Sequence, residues 1–107
     1  MTFMEVFTEL KDKFMQADVK DVPGHLAMQV NLRGEGEGAF YAELNDGVLT
    51  VEPYEYYDRD VIFEVDSEVF RKIVDGALDP VKAYLTGKLK ITGDLDKALT
   101  IQKLIRK

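Results

Sequence analysis

The chain has 107 residues, 46% of them apolar, no cysteine and a formal net charge of −6, which predicts one globular domain over residues 1–107. The lack of cysteine excludes disulfides, thiolate zinc sites and cysteine nucleophiles, and the acidic balance argues against a nucleic-acid partner because it would repel a phosphate backbone. Neither a signal peptide nor an apolar stretch long enough to span a bilayer is recognisable, so we expect a cytoplasmic protein.

The first half of the chain predicts one helix followed by four strands. Apolar residues recur at spacings of four, three and four over residues 3–14, which places them on one helical face. Apolar and polar residues then alternate with period two, which is typical of strands with one buried face. The alternating segments are residues 26–32, 40–44, 49–51 and 61–65, and we expect them to pair as antiparallel strands.

The second half predicts two short helices, a fifth strand and a final helix. Ser67 is expected to cap the first helix, and Asp79, followed by Pro80, the second. Residues 88–91 alternate as a short strand, and Asp94 is expected to cap the last helix. The order α-β-β-β-β-α-α-β-α indicates an α+β fold, with a five-stranded, mostly antiparallel sheet and all helices packed on one face.

Several motifs resemble catalytic or cofactor sites but have simpler explanations. Residues 34–39, Gly-Glu-Gly-Glu-Gly-Ala, satisfy a dinucleotide-binding pattern, yet a strand follows them instead of a helix, and two glutamates would repel a pyrophosphate. His25 is the only histidine, so a histidine-based metal cluster or triad cannot form. Asp58 and Asp60 near Tyr57 are a loose carboxylate pair that surface solubility explains. We predict no catalytic residue, no metal site and no cofactor.

A loop rich in tyrosine follows Pro53. The rings of Tyr54, Tyr56 and Tyr57 are amphipathic, which suits either the rim of a pocket or the cover of a sheet edge. Both interpretations stay open at the level of the sequence.

One longer motif is specific. Residues 79–102, DPVKAYLTGKLKITGDLDKALTIQ, resemble the signature of the sterol carrier protein 2 family. In that signature Pro, Ala and an aromatic residue lead into G-K-L-K-I-x-G-[D/N] and a helix with a Gln among its apolar residues. The preceding residues 60–80 also look like the family's last long strand, its following helix and an Asp-Pro turn. Residues 1–55 match the family in pattern only.

The resemblance implies non-catalytic binding, and transfer, of a lipid: a fatty acid, acyl-CoA, sterol or other apolar chain held in a hydrophobic tunnel between the helices and one sheet face. It also implies that Gln102, inside the apolar stripe of the last helix, faces this tunnel and orients a polar group of the ligand. The other wall residues are predicted from their inward periodicity in the matched half, a pattern that plain core packing would also produce. The predicted lipid-binding residues are Gln102, Phe63, Phe70, Ile73, Tyr84, Ile91, Leu95, Ala98 and Leu99.

Two other functions are compatible with the sequence. The domain could be an accessory or dimerisation module that binds a protein partner through its Phe-rich first helix. It could also be a small α+β enzyme that uses a carboxylate and a tyrosine. The predicted partners are therefore a small apolar or amphiphilic lipid, a membrane in transient contact and a protein, but no nucleic acid.

Overall fold

The computed structural model describes residues 2–105, with side chains described over residues 2–100. The predicted order of elements is confirmed. The bounds are α1 (Phe3–Phe14), β1 (His25–Arg33), β2 (Gly38–Asn45), β3 (Val48–Glu52), β4 (Val61–Asp66), α2 (Ser67–Val74), α3 (Pro80–Leu85), β5 (Leu89–Gly93) and α4 (Leu95–Ile105).

The five strands form one sheet in the order β3-β2-β1-β4-β5. Three of the four neighbouring pairs are antiparallel, as predicted. The expectation that the first four strands are all antiparallel is wrong for β4, which runs parallel to β1, with Met28 opposite Val61 and Val30 opposite Phe63. The reason is the length of the connection: short turns force β1, β2 and β3 into antiparallel neighbours, whereas residues 53–60 are long enough to cross the sheet.

This crossing loop, residues 53–60, covers the centre of the sheet face opposite the helices. The Tyr56 backbone N–H donates to Gln29 Oε1 at 3.1 Å, and the Tyr56 ring stacks on Tyr41 with 4.6 Å between the ring centroids. The Tyr56 hydroxyl donates to Glu43, a bond that, with burial, raises the pKa of Tyr56 to about 12. Gln29 and Ala27 are consequently buried. The sheet face opposite the helices, which the alternating pattern predicts to be exposed to solvent, is therefore covered at its centre.

The core lies between the other sheet face and the helices. Phe40 of β2 is surrounded by three rings from the helices, Phe7, Phe14 and Phe70, at centroid distances of 5.7, 6.1 and 6.2 Å. Phe3 is partly buried against the same cluster. The aromatic face of α1 is thus part of the core, which weakens the alternative that it binds a protein partner.

The helix caps agree with the predicted positions except at α2. Asp79 accepts a hydrogen bond from the Val81 N–H at 2.9 Å, and Asp94 accepts one from the Asp96 N–H at 3.0 Å. At α2 the cap is Asp66, not Ser67 as predicted. Ser67 is buried, and its hydroxyl donates to the carbonyl oxygen of Glu35; with the hydroxyl engaged there, the preceding carboxylate caps the helix.

Candidate functional site

A cavity of about 190 Å³ lies between α3, α4 and the helix-facing side of β4 and β5. Its sheet wall includes Phe63 and Ile91, which are register partners on adjacent strands and therefore present neighbouring side chains to the same face. Among the residues whose side chains the structure describes, the lining is Met28, Phe63, Phe70, Pro80, Val81, Tyr84, Leu89, Ile91, Leu95, Ala98 and Leu99. The Tyr84 hydroxyl is the one polar side-chain group among these residues, so the cavity suits an apolar guest.

The cavity is open along α3 and α4, because the exposed residues of its lining all belong to these two helices. Leu95 and Leu99 are both 50% exposed although they line the cavity, and Val81 and Tyr84 are also exposed. Phe63, Phe70 and Leu89, by contrast, are buried at the other end. Over the described side chains, the arrangement is a hollow with a buried apolar inner wall and an apolar rim in contact with water.

Asp60 fixes the start of α4 against the sheet. One carboxylate oxygen accepts a hydrogen bond from the Lys97 ammonium at 2.9 Å, and the other accepts from the Ala27 N–H at 2.9 Å. The Asp60 carbonyl oxygen accepts from the Asp94 N–H at 3.1 Å. Partial burial alone would raise the pKa of Asp60, but the bonds from Lys97 and Ala27 outweigh it and lower the pKa. The carboxylate therefore stays ionised and ties the outer wall of the cavity to β1 and β4.

The structure brings most of the predicted lipid-binding residues to this cavity. Phe63, Phe70, Tyr84, Ile91, Leu95, Ala98 and Leu99 all line it. Ile73 does not line it, because it lies on the inner side of α2 and is buried in the filled core. The Gln102 side chain lies outside the described side chains, so its contact with a ligand stays a prediction.

Four lining residues were not among the predicted ones: Met28, Pro80, Val81 and Leu89. Met28 and Leu89 alternate inward in their strands, the same signal that selected Phe63 and Ile91. Met28 lies in residues 1–55, where the motif gives no detail, and its place at the cavity follows from the pairing of β1 with β4. Pro80 and Val81 lie in the first turn of α3. The sequence there predicted how the helix begins, with Asp79 as its cap, and gave no signal for a cavity wall.

The residues considered for catalysis are not arranged as an active site. Tyr57 is 97% exposed and Asp58 is also exposed, while Asp60 is held by Lys97 and Ala27. Over the described residues, no cluster of three or more His, Asp or Glu side chains could hold a metal ion. None of the helices in the described range is both long and apolar enough to cross a membrane.

Solved structures share this fold. The chain superimposes on the palmitated SCP2L2 of Aedes aegypti, solved by solution NMR, with a TM-score of 0.69, at 21% identity over 100% of this chain and 96% of that one. It also matches part of the sec-alkylsulfatase Pisa1 from Pseudomonas sp. with a TM-score of 0.74 at 20% identity, covering 87% of this chain and 15% of the sulfatase. The same architecture thus occurs both alone and within a much larger enzyme.

Among curated proteins, the chain is 35% identical over 104 residues to hydroxysteroid dehydrogenase-like protein 2 of Xenopus laevis, covering 94% of this chain. It spans 24% of that relative's length. The model of the SCP-2 sterol transfer family matches residues 3–106, nearly the whole chain. The chain therefore belongs to the SCP-2 sterol transfer family.

Proposed function

We propose that the chain binds the apolar part of a lipid in the cavity between α3, α4 and the sheet, and carries it without chemical change. The observation that carries this proposal is the cavity itself: over residues 2–100 its lining is apolar except for the Tyr84 hydroxyl, and its rim is open. Membership of a sterol transfer family supports it, and the palmitated Aedes relative makes a fatty acyl chain the first ligand to test.

The size of the cavity shows what binding must involve. An engineered apolar cavity of roughly 150 Å³ holds benzene, so about 190 Å³ accommodates only a section of a long chain. Burying about sixteen methylenes gains roughly 13 kcal/mol at 0.8 each, against an association cost of about 4–15 kcal/mol. Micromolar binding needs about 8 kcal/mol of net gain. Most of the chain must therefore be buried, and we expect α3 and α4 to separate as the ligand enters.

The lining predicts different effects for two apolar residues of similar size. Leu99→Ala removes part of the half-exposed cavity wall, so we expect weaker binding of a fluorescent fatty acid with a loss of stability below about 1.5 kcal/mol, as at a site that water already reaches. Ile73→Ala creates a hole in the filled core, so we expect a loss of about 2–5 kcal/mol in unfolding free energy with unchanged affinity. Titration and chemical denaturation measure both quantities. The proposal is wrong if Leu99→Ala leaves affinity unchanged.

Gln102 provides a second test of the site. The spacing supports this test: position 102 is four residues after the cavity-lining Ala98 in α4, so helical periodicity predicts the same face for both. A buried amide is retained only where something bonds to it, because an unpaired one costs about 1–3 kcal/mol. We expect Gln102→Leu to leave the stability of the empty domain unchanged or raised and to weaken fatty-acid binding. Equal affinity in the two proteins would remove Gln102 from the site.

The length of the curated relatives favours one second candidate, a lipid-holding accessory module for a protein partner. The chain spans 24% of the hydroxysteroid dehydrogenase-like relatives, so the domain occurs there beside other sequence. Native mass spectrometry after gentle purification separates the two functions. Co-purified lipid on a monomer supports the carrier, and an empty dimer or heterocomplex supports the module.

A further inference from the structure

The rim of the cavity is an unusual surface for a chain of net charge −6. Of the lining residues, Leu95 and Leu99 are 50% exposed, and Val81 and Tyr84 are also exposed. Leu85, which follows Tyr84 at the end of α3, is 75% exposed. Isolated apolar residues on a surface need no explanation, but a cluster around one opening marks an interaction site. We call this region, together with its cations, the mouth surface; it consists of Val81, Lys82, Tyr84, Leu85, Lys88, Leu95 and Leu99.

The charge of the mouth surface on its α3 side is opposite to that of the whole chain. Between Asp79 and Asp94 the charged residues are Lys82, Lys88 and Lys90 only, in a protein of net charge −6. Lys82 and Lys88 are exposed, and neither forms an ion pair within the part of the chain that the structure describes.

The other nearby charges limit the basic region to α3 and the turn that follows it. Lys90 alternates away from the cavity-lining Leu89 and Ile91 and lies in register with Glu64, so it belongs to the opposite sheet face. Asp96, in the first turn of α4, is exposed and acidic. The mouth surface is therefore basic along α3 beyond its capping Asp79, and the start of α4 carries the repulsive carboxylates of Asp94 and Asp96.

We infer that the mouth surface docks on an anionic lipid bilayer, with the α3 side leading. Lys82 and Lys88 contact lipid phosphates. Each lysine near an anionic surface contributes about 1 kcal/mol of binding free energy, which is about fivefold in affinity. Leu85 and its apolar neighbours enter the boundary between the headgroups and the acyl chains. This inference rests on the proposed carrier function, because the docked mouth faces the source of the ligand. A second protein copy seated there would instead close the cavity.

Charge-neutralising variants test the electrostatic part of this inference. Lys82→Gln with Lys88→Gln should weaken flotation with vesicles of phosphatidylcholine and phosphatidylserine by about 30-fold. The matched control, Lys20→Gln with Lys72→Gln, removes the same charge at exposed positions elsewhere and should change flotation little. Asp96→Asn should act in the opposite direction and strengthen it by about fivefold. Vesicles of pure phosphatidylcholine should bind all variants weakly.

A second pair of variants tests the apolar part. Leu85→Ser should reduce flotation with the anionic vesicles severalfold, whereas Val48→Ser, at another exposed apolar residue in β3, should not. Circular dichroism confirms that each variant is folded, and binding of a fluorescent fatty acid in solution without vesicles is measured in parallel. Leu85 does not line the cavity, so its substitution should leave that binding intact.

The outcomes separate the docking inference from the carrier function. Fatty-acid binding in solution without vesicle binding, or equal flotation of the mouth and control variants, overturns the docking surface and leaves the carrier function standing. Flotation lost only in the mouth variants supports docking, even if no fatty acid binds and the carrier function fails. A dimer that dissociates on Leu85→Ser, with no flotation, assigns the surface to a second copy and overturns the inference.

Discussion

At the scale of single residues, Asp60 shows how one carboxylate sets the geometry of the cavity wall. It bonds the Lys97 side chain of α4, the Ala27 backbone of β1 and, through its own carbonyl, the Asp94 cap. A carboxylate that looked available for acid–base chemistry in the sequence is thus fully engaged in holding α4 over the sheet. Its function is positional.

Asp60→Asn should lower the free energy of unfolding at neutral pH by about 1–2 kcal/mol, because it keeps an acceptor for Ala27 but loses the charge facing Lys97. The pKa of Asp60 is lowered in the folded protein, so its contribution is fully present above the unfolded value of about 3.9. It is lost as the pH falls through the lowered folded pKa. Urea unfolding of both proteins at several pH values should therefore show a difference that shrinks only in acid.

Asp58→Asn is the matched control, since Asp58 is exposed in the same loop and forms no ion pair among the described residues. It should leave stability nearly unchanged at every pH. A difference for Asp60→Asn that grows on acidification would contradict the assigned role.

At the scale of elements, the junction between β5 and α4 brings the outer wall to the sheet. Gly93 ends β5 with φ of +109°, and a Cβ placed there would lie 2.4 Å from the carbonyl oxygen of Asp60 and 3.1 Å from Cα of Val61. A side chain would therefore push β5 and the start of α4 away from β4. Gly93, the second glycine of the GKLKI-x-G motif, is needed for this close approach.

Gly93→Ala should destabilise the domain by more than about 2 kcal/mol, because strain and a clash with backbone add. Gly87→Ala is the comparison, because Gly87 has a φ of +79° but a Cβ there would meet nothing within 4 Å. Only the strain of the left-handed conformation should then lower the free energy of unfolding, by about 1 kcal/mol. Thermal and urea denaturation compare the two. Equal losses would show that the close approach at Gly93 does not matter.

At the scale of the whole molecule, the two faces of the sheet differ in what they can do. One face is covered by the loop over residues 53–60, held by Gln29, Tyr41 and Glu43. The other carries the filled aromatic core under α1 and α2 and the cavity under α3 and α4. The filled core and the opening thus lie at different places along the same sheet, so the proposed separation of α3 and α4 on ligand entry would leave the aromatic core packed.

Ligand binding should raise the stability of the whole domain, because the lipid binds the folded state and not the unfolded one. At a free fatty-acid concentration of one hundred times Kd, the gain is about 2.7 kcal/mol, which corresponds to an increase of about 10–20 °C in Tm for a domain of this size. Differential scanning calorimetry with a long-chain fatty acid measures the shift. Butyrate is the control and should leave Tm unchanged; an unchanged Tm with the long chain would contradict the proposed function.

The sequence by itself determined the order of elements, the caps at Asp79 and Asp94 and the family motif over residues 79–102. These are local properties: periodicity, capping and turn chemistry act within a few residues. The same local rules wrongly predicted Ser67 instead of Asp66 as the cap of α2, because both residue types suit that position. Only the tertiary hydrogen bond from the Ser67 hydroxyl to the Glu35 carbonyl oxygen distinguishes the two.

The tertiary structure alone decided the parallel pairing of β1 with β4, the covering of the outer face and which inward residues meet empty space. Ile73 and Ala98 both point inward and both are buried, yet only Ala98 lines the cavity. Periodicity reports the side of an element that avoids water, but not what lies across from it. That depends on the separation of α3 and α4 from the sheet, which contacts distant in the chain, such as Lys97 with Asp60, determine.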